Sequence, residues 1–160
     1  MKKRECWVEN HIGMVPLNNG KVAMVDADRL SEVSKFNWSS NGKGYVTASI
    51  KSKTVHLHSF LYPELSVIDH INLNPIDNRS CNLREASHGQ NLRNSPKHKD
   101  NTSGFKGVTW EKSSNKWGSK IMFQGKIYRL GLFNCLVKAA KAYDDKAKEL
   151  FGEFYREDRQ

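Results

Sequence analysis

The sequence predicts an α+β protein made of two small domains, and three features of the chain indicate this fold class. Hairpin-type turn signals divide the N-terminal half into short apolar runs, a polar segment without large apolar residues follows, and a strongly periodic helix pattern lies near the C-terminus. A chain of 160 residues can form two domains that each bury a modest core. We therefore expect domains at residues 1–94 and 104–160, joined by a linker at 95–103.

The first third of the chain is predicted to be mainly β-structure. Residues 8–55 consist of short apolar runs separated by the turn signals Asn18-Asn19-Gly20 and Asn41-Gly42. Between these turns, residues 26–33 contain helix formers but are long enough for only one or two helical turns.

The middle of the chain changes from a helix pattern to a strand and then to a loop. Helix-like spacing at residues 56–61 stops at Pro63, because proline does not continue a helix. The apolar run at residues 65–71 predicts a strand, and the polar stretch at 72–82 predicts a loop. Ser87 can then cap a short helix at residues 88–94, which we expect Pro96 to end.

The C-terminal domain is predicted to be a three-stranded meander followed by one helix. The strands are expected at residues 105–110, 117–123 and 126–132, and the tight turn Gln124-Gly125 joins the last two. Asn134 is the candidate cap of the helix, and Gly152 follows its end. Apolar helix residues recur at three- and four-residue spacing. They are Leu136, Ala139, Ala140, Tyr143, Ala147, Leu150 and Phe151.

The charge of the chain favours a polyanionic partner. Lys and Arg number 26 against 17 Asp and Glu, which gives a formal net charge of +9. Residues 104–132 hold six basic side chains and one acidic side chain, whereas residues 133–160 hold six of each. The predicted sheet, rather than the helix, is therefore expected to face double-stranded DNA.

Cysteine spacing and the N-terminus indicate a cytoplasmic protein without a membrane segment. Cys6, Cys81 and Cys135 are odd in number and far apart, which fits reduced thiols better than disulfides or a structural zinc site. The basic N-terminus leads into Glu5 and Glu9 rather than into an apolar stretch, so we expect neither secretion nor a membrane span.

Two adjacent residues at the end of the strand-like run, Asp69 and His70, carry the chemistry that the sequence predicts. Hydrolysis of a phosphodiester needs a base for the attacking water and a cation for the leaving oxygen. A neutral imidazole accepts a proton near pH 7, so His70 is the candidate general base. Neighbouring strand residues point to opposite faces, so the strand must end or twist at this pair.

The predicted cofactor is one divalent cation per active site, Mg²⁺ or alternatively Mn²⁺. Mg²⁺ prefers oxygen ligands and keeps several waters. Asp69 offers a carboxylate and Asn91 an amide oxygen, and phosphate oxygens of the substrate would complete the shell.

A group of short motifs lies within residues 55–94 and includes this pair. They are Val55-His56-Leu57-His58, Asp69-His70-Ile71-Asn72, Asp77-Asn78-Arg79, Asn82-Leu83-Arg84 and Gln90-Asn91. Together they resemble the phage-type HNH homing endonucleases, and residues 15–38 resemble the β-rich segment that precedes the HNH core in those enzymes.

The resemblance implies a ββα-metal core, or His-Me finger, in which a β-hairpin and a helix hold the cation. It implies that His70 is the general base and that Asp69 and Asn91 bind the metal. It also implies that Asn82 stabilises the loop carrying the histidine, with His58 close behind.

The chain departs from the HNH pattern at one position. Many HNH proteins have a final histidine where this chain has Asn91, so His88 is the competing metal ligand. The resemblance to phage enzymes also implies that the protein works in the cytoplasm of an infected bacterial cell.

A second resemblance covers residues 103–155. Its motifs are Ser103-Gly104-Phe105-Lys106-Gly107-Val108, Lys116-Trp117, Leu130-Gly131-Leu132-Phe133, residues 139–144 and Gly152-Glu153-Phe154. They resemble the AP2 DNA-binding domain, which implies a three-stranded sheet in the major groove with a helix packed behind it. Major-groove width accommodates such a β-ribbon, in agreement with the charge distribution above.

Candidate DNA-binding residues lie on or beside the predicted sheet. They are Lys106, Gly107, Thr109, Trp110, Lys112, Lys116, Lys120, Lys126 and Arg129, and Met122 and Ile127 share the implied interface. The basic residues can neutralise phosphates, and Trp110 can pack on a sugar or a base edge. Trp117, Ile121 and Phe123 share one strand face and are expected to pack against the helix instead.

The sequence therefore predicts a metal-dependent endonuclease that cuts double-stranded DNA at a sequence-directed target. One active site per chain suggests a monomer that nicks one strand. The alternative is a non-cleaving, sequence-specific DNA-binding regulator whose nuclease half is only a scaffold. An RNA-binding protein is less favoured, because nothing in the sequence requires the exposed aromatic side chains that stack on single-stranded bases.

Overall fold

The computed structural model describes residues 4–95 and 97–156, and the chain divides into two compact units, residues 1–88 and 89–160. The predicted α+β class is confirmed, with four small antiparallel sheets and one long C-terminal helix. Within the described ranges, no helix is long and apolar enough to cross a membrane. Pro96, which we expected to end the short third helix, lies outside the described residues.

The first sheet contains three strands in the order β1, β2, β3. They are β1 (Trp7–Glu9), β2 (Ile12–Pro16) and β3 (Val22–Asp26). The predicted turn joins β2 to β3, and Gly20 in it has φ 77°, which glycine adopts without strain. The β1–β2 turn was not predicted because its residues, Asn10 and His11, contain no glycine although both have positive φ.

The second sheet follows a short helical segment. Residues Ala27–Arg29 form a 3₁₀ turn that leads into α1 (Leu30–Val33), as predicted for residues 26–33. The sheet has the order β4, β5, β6. Its strands are β4 (Ser39–Ser40), β5 (Val46–Ile50) and β6 (Lys53–His56). The predicted helix after the sheet is α2 (Leu57–Leu61).

One apolar core unites these elements of the first unit. Its buried members are Val15, Leu17, Ala23, Val25, Val33, Trp38, Val46, Ala48, Leu57 and Leu61. Trp38 is the largest of them, and its indole N–H donates a 2.9 Å hydrogen bond to the Val33 carbonyl. The indole N–H of this largest core side chain is therefore buried with a hydrogen-bond partner.

A two-stranded sheet completes the first unit, made of β7 (Ile68–His70) and β8 (Leu83–Glu85). The loop between these strands lies against β3. The Met24 amide donates to the Ile76 carbonyl, and the Met24 carbonyl accepts from the Asn78 amide, both at 2.8 Å. The short helix α3 (His88–Asn94) follows at the predicted position.

The second unit is a meander packed on one helix. The sheet order is β11, β10, β9, and the strands are β9 (Val108–Glu111), β10 (Lys116–Phe123) and β11 (Lys126–Phe133). Helix α4 (Leu136–Phe151) covers one sheet face, and Val108, Ala139 and Ala140 form the buried centre of the contact. The predicted Gln124-Gly125 turn is confirmed, with φ of 50° and 76°.

The predicted helix cap at Asn134 is wrong by one residue. Cys135 occupies the N-cap position with an extended backbone, φ −120° and ψ 126°, and its carbonyl accepts a 3.1 Å bond from the Ala139 amide. The backbone amides of Lys138 and Val137 lower the pKa of the Cys135 thiol, although the thiol makes no regular capping hydrogen bond. The helix therefore starts from backbone geometry and from packing of its apolar face rather than from a capping side chain.

Candidate active site and nucleic-acid interface

Asp69 and His70 are both buried at the end of β7. Asp69 is 1% exposed and His70 6%. Because β7 ends at His70, the two side chains escape the strict alternation of a longer strand. Asp69 lies opposite Arg84 on β8, and its Oδ2 accepts bonds from the Arg84 guanidinium at 2.9 Å and 2.8 Å. A buried carboxylate is thus balanced by one cation of the chain itself.

The His70 ring is oriented by Asn78, a buried residue for which the sequence suggested no role. The two side chains meet at 3.4 Å between His70 Nε2 and Asn78 Oδ1. Asn78 is held in turn, because its side-chain amide donates to the Pro75 carbonyl at 3.3 Å. That bond turns Oδ1 toward the imidazole, and in the tautomer whose Nε2 donates to Oδ1 the basic atom of the neutral ring is Nδ1.

Asn82 holds together the loop that follows His70. Its Oδ1 accepts a 2.9 Å bond from the Asn72 amide, and its Nδ2 donates a 2.8 Å bond to the Asp77 carbonyl. Asp77 is itself buried and pairs with Arg79 at 2.7 Å. The buried side-chain amide of Asn82 therefore joins two points of the loop, near Asn72 and Asp77. This keeps Asn78 next to His70.

Three histidines and one tyrosine cluster behind the base. The ring centroids of His58 and His70 are 5.3 Å apart, those of His56 and His58 are 5.1 Å apart, and Tyr45 lies 5.9 Å from His70. Burial, followed by the neighbouring His70 and His56, lowers the pKa of His58 to about 4. Burial also lowers the pKa of His70, opposed by the bond to Asn78 and the charges of Asp69 and Asp77.

The lowered pKa of His58 predicts a loss of stability in mild acid. Its folded pKa, about 4, lies below the unfolded value of 6.5, so the unfolded chain alone binds the proton between these values. Stability is therefore complete above pH 6.5 and decreases as the pH falls towards 4. After discounting for the solvated part of the ring, we expect this histidine to account for roughly 2 kcal/mol.

Urea unfolding of the full chain in EDTA at pH 7.5 and pH 4.5 measures this effect. The His58→Phe variant should show a smaller difference between the two free energies of unfolding than the wild type. The matched control is His11→Asn, since His11 is exposed in the same unit. Equal pH dependence in wild type and His58→Phe would contradict the assignment.

The two candidate ligands from α3 lie on either side of the division between the two units, which falls after His88. His88 is the exposed first residue of α3, and Asn91 is half-buried on the same helix, within the second unit. Within residues 4–95 and 97–156, no three His, Cys, Asp or Glu side chains are arranged to hold a metal ion. A cation at Asp69 would therefore need further oxygen donors, such as amides, water or phosphate.

In the second unit, strand register divides the predicted DNA-binding residues between two faces. Directly paired residues share a face. Lys120 pairs with Arg129 and Met122 with Ile127, and these four exposed side chains lie on the face away from α4. Thr109 joins them through its pairing with Gly118.

Trp110 and Lys126 lie on the opposite, helix-side face of the sheet. Trp110 pairs with Trp117, which packs on the α4 core, and their rings meet edge to face at 4.9 Å. Lys126 pairs with Phe123, and its ammonium lies 5.3 Å from the Tyr128 ring. Successive side chains of a strand point to opposite faces of the sheet. Trp110 and Lys126 therefore cannot form one contact surface with Lys120.

The remaining predicted residues lie just before β9, in the β9–β10 turn or at the first residue of β10. Lys106 is half-buried and donates a 2.5 Å bond to the Ser95 carbonyl. Lys112 is exposed in the β9–β10 turn, and Lys116 pairs with Glu111. Gly107 has φ 65° and packs so closely that a Cβ would lie 2.2 Å from the Tyr143 ring. This close contact with Tyr143 explains why a glycine stands at position 107.

Sequence reasoning missed Asn78 and Arg84 as partners of the central pair. Both occur in motifs that resemble the HNH pattern, so a signal for their importance was present, but neither had a predicted contact. Tyr45 was also missed, since it lies 25 residues before His70 and reaches it only through the fold.

Comparison with known proteins gives two relatives. An uncharacterised HNH endonuclease of Acanthamoeba polyphaga mimivirus is 32% identical over 143 residues, which cover 84% of this chain and 73% of the relative. Protein 3.8 of Escherichia phage T7 is 35% identical over 94 residues, which cover 59% of this chain and 77% of the phage protein. No protein-family model matches the sequence, and no solved structure matches it at a significant level. The similarity to the mimivirus protein extends over most of both chains, and it shows that this chain belongs to the HNH endonuclease family.

Proposed function

We propose that the protein hydrolyses phosphodiester bonds of double-stranded DNA, with His70 as general base and Asp69 as ligand of one divalent cation, Mg²⁺ or Mn²⁺. The observation that carries the proposal is the buried pair at the end of β7, in which Asn78 orients the His70 ring. Membership of the HNH endonuclease family supports the same reaction class.

In the proposed reaction, Nδ1 of His70 accepts the proton of the attacking water. Burial lowers the pKa of His70, so the ring is neutral and able to accept a proton at pH 7. Asn78 keeps the other ring nitrogen protonated, and Asn82 maintains the loop on which this geometry depends. Asn78 and Asn82 are therefore positioning residues rather than groups that touch the substrate.

The residues around Asp69 fit a hard cation in donor chemistry. An ionised carboxylate offers about four acceptor positions, so coordination of a cation is compatible with the pairing to Arg84. Asp69 would hold the cation, which when bound stabilises negative charge on the leaving 3′-oxygen. The predicted participation of Asn91, or of His88 in its place, stays a prediction.

We further propose that the second unit binds the DNA target as an AP2-like domain, with residues 95–103 as the linker predicted from the sequence. Its support is the outward sheet face, where Lys120 and Arg129 are exposed side by side on the face away from α4. Two exposed cations on neighbouring strands can neutralise phosphates that border a groove. With one HNH site per chain, the enzyme would act as a monomer and nick one strand, in keeping with a homing enzyme of an infected cell.

Removal of the divalent cation is expected to abolish cleavage. The full chain is incubated with supercoiled plasmid libraries carrying candidate targets, with Mg²⁺, with Mn²⁺, with EDTA, and with EDTA followed by excess Mg²⁺. We expect nicked circles with either metal, none with EDTA, and recovery on adding Mg²⁺ back. Cleavage that persists in EDTA would contradict the role of a cation, and linear product without a nicked intermediate would contradict single-strand cutting.

A non-cleaving DNA-binding regulator is the second candidate, and the Asp69–Arg84 pair favours it. An internal cation already neutralises the carboxylate that should bind the metal. This candidate predicts DNA binding with no cleavage under any metal, which the plasmid experiment distinguishes when retention of the DNA by the protein is measured in parallel.

A further inference from the structure

Three large apolar side chains are exposed on the outward face of the C-terminal sheet. Met122 is 68% exposed, Ile127 56% and Leu132 53%. Isolated exposed apolar residues are common, but here two of them form a directly paired row across β10 and β11. Beside the cations Lys120 and Arg129, such a row suits a partner that offers both negative charge and apolar atoms.

The charged neighbours of this row select the class of partner. The next row of the same face is the Lys120–Arg129 pair, two residues further along each strand. Successive same-face residues of a strand are about 6.8 Å apart, and base pairs rise by about 3.4 Å, so the two rows are spaced by about two base pairs. Glu111 is paired two rows beyond, opposite Lys116, and its carboxylate extends over Gly118 in the row next to the Lys120–Arg129 pair.

The shape of the face also suits duplex DNA. A depression of about 580 Å³ lies on it, and the residues that line it include the cations Lys120 and Arg129, the acid Glu111 and the apolar Ile127 and Leu132. The apolar row lies on β10 and β11, and a major groove about 12 Å wide accommodates such a two-stranded ribbon. In that groove the apolar group that a base edge presents is the C5-methyl of thymine.

We infer that Met122 and Ile127 recognise thymine methyl groups in the major groove, about two base pairs from the position addressed by Lys120 and Arg129. The inference rests on the proposed binding of DNA by the second unit and adds the base class that its sheet prefers. Met122 and Ile127 are thus specificity-determining residues, whereas the cationic row supplies affinity that depends on salt.

The test compares duplexes that differ only in the methyl group. Fluorescence anisotropy of the full chain in EDTA is measured with 24-bp duplexes of alternating dA·dT, of alternating dA·dU, of dG·dC, and of dG with 5-methyl-dC. We expect binding to weaken roughly fourfold for each recognised thymine whose methyl group is replaced by hydrogen in dU. Methylation of dC should strengthen binding by a similar factor, because it places a methyl group in the same groove.

Variants assign the effect to the two side chains. Met122→Ser combined with Ile127→Thr should remove the dT/dU and methyl-dC differences while salt-dependent binding remains, since both side chains are exposed and leave the core intact. The control is Val137→Thr, which changes an exposed apolar residue of α4 and should keep every difference.

The outcomes separate this inference from the proposed function. A chain that binds none of the duplexes would overturn DNA binding itself. Salt-dependent binding with equal affinity for dT and dU would overturn only the reading of methyl groups. A wild type that sediments as a dimer, with the double variant monomeric and discrimination absent, would assign the face to a second copy of the chain and also overturn the inference.

Discussion

Replacing His70 by alanine is expected to lower the single-turnover rate of DNA cleavage by about 10²- to 10⁴-fold, the usual contribution of a general base. The physical reason is the loss of a neutral imidazole whose Nδ1 is kept basic by the bond between Nε2 and Asn78. DNA affinity should change little, because His70 is only 6% exposed. In addition, His70 belongs to the first unit, whereas the cationic sheet residues belong to the second. Quenched single-turnover cleavage with saturating protein measures the rate.

Two further variants give this prediction its controls. Asn78→Ala should reduce the rate by less than His70→Ala, because the imidazole remains but no longer has a fixed tautomer. The ¹⁵N chemical shifts of the His70 ring should then report a mixture of tautomers, which a purely structural defect elsewhere would not cause. His11→Asn should cleave as the wild type does. Wild-type cleavage by His70→Ala would remove this histidine from the mechanism.

Replacing Gly107 by alanine is expected to destabilise the second unit by about 2–4 kcal/mol, the sum of left-handed backbone strain and overpacking. The residue has φ 65°, and an added Cβ would lie 2.2 Å from the Tyr143 ring and 2.4 Å from the Lys120 carbonyl oxygen. The carbonyl belongs to the central strand, so it cannot move as a flexible side chain can. Urea unfolding of the full chain, followed by tryptophan fluorescence, measures the loss.

Gly125→Ala is the matched control for this prediction. Gly125 has φ 76° but no atom within 4 Å of the added Cβ, so the substitution carries the backbone strain without the clash. We expect a loss of only about 1 kcal/mol from such strain. Equal losses in the two variants would show that Tyr143 and the central strand relax around the new methyl group, and the packing explanation of Gly107 would then be wrong.

Elements marked by local signals were predicted well from the sequence. The Gln124-Gly125 turn, the periodicity of α4 and the position of α3 depend on residues within a few positions of each other. The turns at Asn10–His11 and Lys51–Ser52 were missed, because their positive φ angles occur at residues other than glycine. Both are two-residue hairpin turns, so the pairing of the flanking strands imposes those angles rather than a glycine signal in the turn.

In the candidate site, too, residues in short motifs were predicted and contacts that depend on the fold were not. Asp69, His70 and Asn82 were predicted from short motifs, and the fold brings all three into one buried hairpin and loop. The contact of His70 with Asn78, and that of Asp69 with Arg84, depends on how the loop folds back and on strand register, which the motifs do not specify. The division of Trp110 and Lys120 between two faces likewise appears only once the register is known.

The irregular pairing in β11 has a consequence for insertions and deletions. Ser119 pairs with Gly131 but Lys120 pairs with Arg129, so Leu130 is an extra residue between two regular stretches. The extra residue interrupts the alternation of side chains between the two faces of the sheet. Arg129 can therefore point outward while Phe133, four residues later, packs against α4. Loss of the Leu130 codon would therefore leave a regular strand with Arg129 and Phe133 on their present faces, so this deletion should be tolerated better than a deletion elsewhere in β11.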